Sequence, residues 1–152
     1  METVTVRRQY TVCLAELWKL ASHPSQLSSE VNMLRQFRAP KKISEGSKLA
    51  EEHTILGWPQ WYRGAITAYQ WESHWSMTSS PVGAGPFPLP HDVRYAFSSI
   101  DEERSELSVA CSYSRGGLLA LPFVSGLVRW YMARTIDRLL LTVEQEVARC
   151  TV

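Results

Sequence analysis

Cysteine is scarce in this chain. Cys13, Cys111 and Cys150 are an odd count over 152 residues with no Cys-x-x-Cys pair, which excludes a disulfide framework or a zinc knuckle. Reduced thiols in a cytoplasmic protein are the expectation. An excess of one charge is also missing. Sixteen Lys and Arg stand against fifteen Asp and Glu, leaving +1, so nothing electrostatic points to nucleic acid or an anionic membrane as a partner. No apolar run approaches the roughly 20 residues that span a bilayer. The most apolar stretch, Leu118 to Val128, is interrupted by Pro122 and closed by Arg129. Met1-Glu2-Thr3-Val4 lacks the basic and apolar segments of an export signal.

Several chemistries lack their signatures too. His53, His74 and His91 show neither His-x-His nor His-Glu-x-x-His spacing, so no metal and no other cofactor is expected. Gly83-Ala84-Gly85 runs into prolines rather than a helix, which argues against a phosphate cradle. Ser125-Gly126 falls inside a helical pattern and not on a strand-to-helix elbow, which argues against a serine hydrolase.

Aromatics, by contrast, are plentiful: six Trp and six Tyr, enough either to fill a core or to line a cavity. Periodicity supplies the framework. Val4, Val6, Arg8 and Tyr10 open a strand running to about Val12. Leu14, Leu17, Trp18 and Ala21 follow at helical spacing, and His23-Pro24 closes that helix. A second short helix is expected over Ser25–Glu30 and a strand over Val31–Arg38. Lys48–Leu56 and Trp61–Trp71 read as a hairpin around Gly57-Trp58-Pro59-Gln60, with a further strand over Ser73–Ser80. The Pro- and Gly-rich segment Pro81–Pro90 carries Phe87 and Leu89 and suits a lid over a cavity mouth. Val93, Tyr95 and Phe97, then Leu107, Val109, Cys111 and Tyr113, alternate with polar or small residues in two more strands. From Pro122 to Arg149 there is no other proline, so about 28 residues predict a helix on the order of 40 Å long. The whole chain, 1–152, reads as one α+β domain.

Three stretches in this order resemble the SRPBCC superfamily, the START-like or helix-grip proteins that include birch-pollen-type allergens. They are Ala15-Glu16-Leu17-Trp18 after an opening strand, Gly46 before the third strand, and Ser108–Gly117 running into the terminal helix. The nearest likeness is to the polyketide cyclase/dehydrase branch. The resemblance implies a curved antiparallel sheet of about six or seven strands, wrapped around a long C-terminal helix with an apolar pocket between them. It also implies a hydrophobic small molecule as ligand. That branch has no invariant catalytic motif, so candidate residues come from this chain alone.

If Leu49 and Ile55 face the hollow, period two puts Glu51 and His53 on the same face, a carboxylate and an imidazole able to share a proton. A one-residue slip turns both out to solvent. With the turn centred between Trp58 and Pro59, Glu51 pairs with Ile66 and His53 with Gly64. Tyr62, Tyr95, Phe97 and Tyr113 fall on faces assigned inward, and Tyr62 is a candidate donor to a developing enolate. Trp61, Trp71 and Trp75 offer a stacking wall for a planar ligand, and a homodimer contact is their competing use. Arg35 shares a face with Phe37 and suits a carboxylate or keto group. Leu127 and Tyr131 belong to the first half of an apolar stripe on the terminal helix, the expected cavity floor. The first functional expectation is a cyclase, aromatase or dehydratase using Glu51, His53 and Tyr62 as acid and base. The second is a non-catalytic carrier or sensor for an apolar ligand.

Overall fold

Alternating residues over most of the chain become strands, and the proline-free segment that Pro122 opens becomes a helix laid across them. The computed structural model describes residues 1–27, 34–55, 57–83, 89–114 and 120–151, with the backbone only at 34–36 and 55. The strands are β1 (Glu2–Tyr10), β2 (Leu34–Arg38), β3 (Lys48–Ile55), β4 (Trp58–Gln70), β5 (His74–Val82), β6 (His91–Ser99) and β7 (Ser105–Tyr113). The helices are α1 (Leu14–Ala21) and α2 (Pro122–Cys150), with one 3-10 turn at Pro24–Gln26. The seven strands form one antiparallel sheet in the order β1-β7-β6-β5-β4-β3-β2. Sequential hairpins build it from β2 to β7, and β1 returns to the far edge beside β7. This is the helix-grip arrangement.

The second short helix expected over Ser25–Glu30 is present among the described residues as the 3-10 turn at Pro24–Gln26. His23 caps it by accepting from the Ser25 amide, and the Gln26 side chain accepts from the His23 amide. Residues 28–33, and so the first part of the strand expected from Val31, lie outside the described residues. The β3–β4 turn also sits elsewhere. Glu51 pairs with Tyr62 and His53 with Gln60, because Ile55 already pairs with Trp58, and Gly57 in the connection has a φ of 84°. Pro59 is part of β4. Its missing N–H costs little there, since pairing of β4 with β5 begins only at Trp61. The partner of Glu51 thus moves by four residues, an even number, and every side chain keeps its face.

α2 begins with Pro122 in its first turn and runs 29 residues, about 43 Å at 1.5 Å per residue. Val128, Ile136, Leu139, Leu140, Val143 and Val147 bury one stripe against the sheet. The opposite ridge leaves Phe123, Leu127 and Trp130 exposed. β1 is fastened to the helix by polar contacts: Arg8 bridges Asp137 at 3.0 Å and Glu144 at 2.6 Å. The buried Tyr10 hydroxyl donates to the Leu140 carbonyl at 2.9 Å. Tyr10→Phe should therefore lower stability by about 0.5–1.5 kcal/mol, the usual net worth of one such bond, measurable as a lower urea midpoint at unchanged slope.

The interior has two unlike ends. Near α1, Trp18 packs edge-on to Phe97, with ring centroids 4.8 Å apart, and against Tyr69 and Trp71. Trp75 stacks on Tyr95 at 4.0 Å and donates its indole N–H to the Ala21 carbonyl. Aromatic rings fill that end. The other end holds a cavity.

Candidate functional site

β3, β4, β5 and β6 each send side chains to one point in the interior. Glu51 on β3 faces inward with Leu49, as period two requires, and is 0% exposed. Its Oε2 lies 2.7 Å from His53 Nε2 and 3.5 Å from His91 Nε2. Its Oε1 accepts a 2.7 Å hydrogen bond from the Ser79 hydroxyl on β5. His91 Nδ1 lies 3.0 Å from the Leu89 carbonyl. A carbonyl only accepts, so Nδ1 carries a proton and Nε2 is the atom aimed at Glu51. The Tyr62 ring stands edge-on to both imidazoles, with centroids 5.2 Å from His53 and 4.9 Å from His91.

In a flat sheet β3 and β6 would lie three strand spacings apart, about 14 Å. Their side chains meet because the sheet curls. A bulge in β4 between Ile66 and Ala68 adds to the local bend. Gly64 makes room at the centre. It pairs with Leu49 on one side and Ser79 on the other, and a Cβ there would stand 2.1 Å from the Thr78 carbonyl oxygen and 2.8 Å from Ser79 Oγ. Gly64 thus clears Ser79, away from the place above His53 that the expected register gave it.

The cluster forms one wall of a cavity of ≈ 70 Å³ whose remaining lining is mostly apolar, including Phe37, Met77, Val93, Val128 and Ile136. Pockets that hold drug-sized ligands run to about 300–1,000 Å³. The space as it stands suits a few non-hydrogen atoms, far from the wide chamber that a folded polyketide chain needs.

Burial works against the Glu51 charge, but hydrogen bonds from His53 and His91 outweigh it and hold the carboxyl well below its usual range. Burial likewise opposes the His91 charge, and the Glu51 carboxylate overcomes it and raises that imidazole. Each partner therefore favours the charged form of the other. Burial pushes the Tyr62 and Tyr95 phenols up, with the Glu51 charge adding to it, so both remain proton donors. The Cys111 thiol is pushed up to about 12, by burial first and the Glu51 charge second, and is inert.

Glu51, His53, Tyr62, Phe37, Tyr95 and Tyr131 all line this cavity. Tyr131 comes from the first half of α2, where its hydroxyl donates to the Thr54 carbonyl at 3.2 Å. The tryptophan wall is not there. Trp75 and Phe97 belong to the aromatic packing beneath α1, while Trp71 is 68% exposed beside Trp18. Trp61 lies under the Arg38 guanidinium, 5.6 Å from its ring. Tyr113 is buried without lining the cavity, and Leu127 sits on the exposed ridge of α2, one helical step from Val128. The Arg35 side chain and Phe87 lie outside the described residues. Leu89, also from the proline-rich segment, lines the cavity and supplies the carbonyl that orients His91.

His91 and Ser79 are additions that the spacing of histidines along the chain does not suggest. Strand parity carries the signal: His91 shares a face with Val93 and Tyr95, and Ser79 with Trp75 and Met77. The motif test for metals looks along one segment, whereas Glu51, His53 and His91 come from two strands and place their donor atoms within 4.8 Å of one another.

The sequence matches no protein-family model, and it matches no curated protein. Solved structures match over nearly the full length. A protein of Thermus thermophilus superposes with a TM-score of 0.78 at 12% identity, covering 99% of this chain and 100% of that one. A START superfamily protein from Mycobacterium smegmatis gives 0.72 at 12%, covering 97% and 98%. The Zhui aromatase/cyclase from Streptomyces sp. R1128 gives 0.68 at 10%, covering 99% and 96%. At such identities the likeness is one of fold.

Proposed function

Since this chain has the START-like helix-grip fold, we propose that it binds a hydrophobic small molecule in its interior and moves protons on a carbonyl-bearing head of that molecule. The outcome would be a dehydration, cyclisation or aromatisation. One observation carries the reading: a charged carboxylate with no exposed surface, held by two imidazoles and a hydroxyl, opens onto an otherwise apolar cavity. Burying such a group is costly for a fold and is usual at sites of chemistry.

The roles follow from the electrostatics. Glu51, held ionised, is a weak base and serves to orient and compensate an imidazole. His53, with 15% of its side chain exposed and its Nε2 on the carboxylate, is the proton carrier. Tyr62, kept protonated, donates to the carbonyl oxygen as enolate charge develops. In a β-hydroxyketone His53 takes the α-proton and the imidazolium returns one to the departing hydroxyl, so that water leaves and an enone remains. Met77 and Met132 in the cavity wall are unbranched and adaptable, and yield to a ligand larger than the resting space.

A second reading, a carrier or sensor without turnover, draws on the saturation of Glu51, both of whose oxygens already have partners. The test separates the two. β-Hydroxyketones of graded length are screened by thermal shift, and enone formation is followed by absorbance. His53→Gln is expected to lower kcat by about 10²–10⁴-fold while the dissociation constant changes little. Binding of these compounds to the wild-type chain with no enone formed would leave the carrier reading. No binding at all would remove both.

A further inference from the structure

The three groups that hold the cavity's polar wall also have the composition and spacing of a metal site, and we infer that Glu51, His53 and His91 take a first-row divalent cation of the zinc class. The inference deepens the reading above by naming what can stand between these donors in place of a proton, and it rests on that reading only for its use in chemistry.

Two imidazoles and one carboxylate are borderline nitrogen and oxygen donors, suited to zinc, cobalt or ferrous ions rather than to calcium or magnesium. With bonds of about 2.0–2.1 Å, donor atoms on a tetrahedral ion stand about 3.4 Å apart. Glu51 Oε2 is 2.7 Å from His53 Nε2 and 3.5 Å from His91 Nε2, and all donor atoms lie within 4.8 Å of one another. The required separation falls between the two distances from Glu51.

The surroundings of the donors supply a second, independent observation. Histidine ligands characteristically spend their other ring nitrogen on a carbonyl or carboxylate, and ligating carboxylates are themselves hydrogen-bonded. His91 Nδ1 is committed to the Leu89 carbonyl at 3.0 Å, which leaves Nε2 to offer its lone pair. Ser79 holds Glu51 Oε1 at 2.7 Å, which leaves Oε2 for the shared point. Both imidazoles therefore aim Nε2 at one carboxylate oxygen. Coordination beyond these three protein ligands falls on the cavity side, where a ligand's carbonyl oxygen would be polarised by the ion in low-dielectric surroundings.

The test uses the full chain, stripped with chelator and titrated with Zn²⁺ by calorimetry and with Co²⁺ by visible absorption. The expected result is one ion per chain, with a cobalt spectrum of nitrogen and oxygen ligands lacking a thiolate charge-transfer band. His91→Ala and His53→Ala should each weaken binding by at least about 100-fold, and Ser79→Ala, acting through Glu51, by about 10–100-fold. His23→Ala and Cys150→Ser, at the surface, should leave it unchanged. Should a histidine variant fold poorly, the wild-type cobalt spectrum still decides the ligand types. Absence of stoichiometric binding to the wild-type chain, or binding by the His53 and His91 variants as tight as the wild type's, overturns the inference. So does a thiolate band that disappears with Cys150. Enone formation by stripped protein that binds no zinc would overturn the metal site alone and leave the proton-transfer reading standing, whereas zinc binding without any organic ligand bound would do the reverse.

Discussion

Glu51→Ala is expected to destabilise the fold by about 3–5 kcal/mol, because it removes one partner of a buried ion pair and strands the other. What remains is the His91 imidazole, fixed by the Leu89 carbonyl, and a Ser79 hydroxyl without its acceptor. Urea unfolding at pH 6 measures the loss, and a change below about 1 kcal/mol would mean that the carboxylate is not charged in the native state. The pH profile is the finer readout. The Glu51 carboxyl is held below its ordinary value of 4.5, so its stabilisation is complete above that pH and vanishes as the pH falls through the depressed value. His91 is raised above its ordinary 6.5, so its stabilisation is complete below that pH and is lost as the pH climbs through the elevated value. Both contributions are therefore whole between 4.5 and 6.5, where the wild-type chain should be most stable with respect to this pair. Glu51→Gln should flatten both flanks. A triple replacement of Glu51, His53 and His91 by apolar residues of similar volume should recover stability, since a buried ionic cluster rarely outperforms good packing. That recovery would show that the fold does not need the cluster.

Gly64→Ala is the second change with a large expected effect. The glycine is there for room and not for a left-handed backbone. Its added methyl would stand 2.1 Å from the backbone oxygen of Thr78, and a main-chain atom in the sheet's interior cannot swing aside as a side-chain tip can. Strands β4 and β5 must separate locally, at a cost of about 1–3 kcal/mol or more. Ser79 moves with them, so the hydroxyl withdraws from Glu51. A fall in the urea midpoint together with a narrowed pH plateau is the expected pair of results, and an unchanged midpoint would contradict the close approach of the two strands.

How much of this is legible in the residues differs by level. Strands and helices follow from alternation and from the proline-free run after Pro122, because those patterns are local and strong. The β3–β4 turn escapes such reading, since Pro59 is a turn signal in general and a tolerated strand residue here, where its face toward β5 is unpaired. Parity survives that difference, so Glu51, His53 and Tyr62 stay on one face. The convergence of His91 and Ser79 on Glu51 depends on the curl of the sheet across three strand spacings, which no segment of the chain states by itself. The tryptophans have a size that suits cavity wall and core equally. Where Trp18 and Trp75 lie relative to α1 decides between the two, and that is a tertiary fact.

The unequal ends of the interior have a consequence for how such a scaffold can change over generations. Ring stacking beneath α1 ties the N-terminal segment to β4, β5 and β6, and none of those tryptophans borders the hollow. Those indole rings are thus lodged apart from the cavity. Drift among Phe37, Met77, Val93, Met132 and Ile136 reshapes the hollow without loosening the clasp at the opposite end, so its contour can vary while the framework is kept.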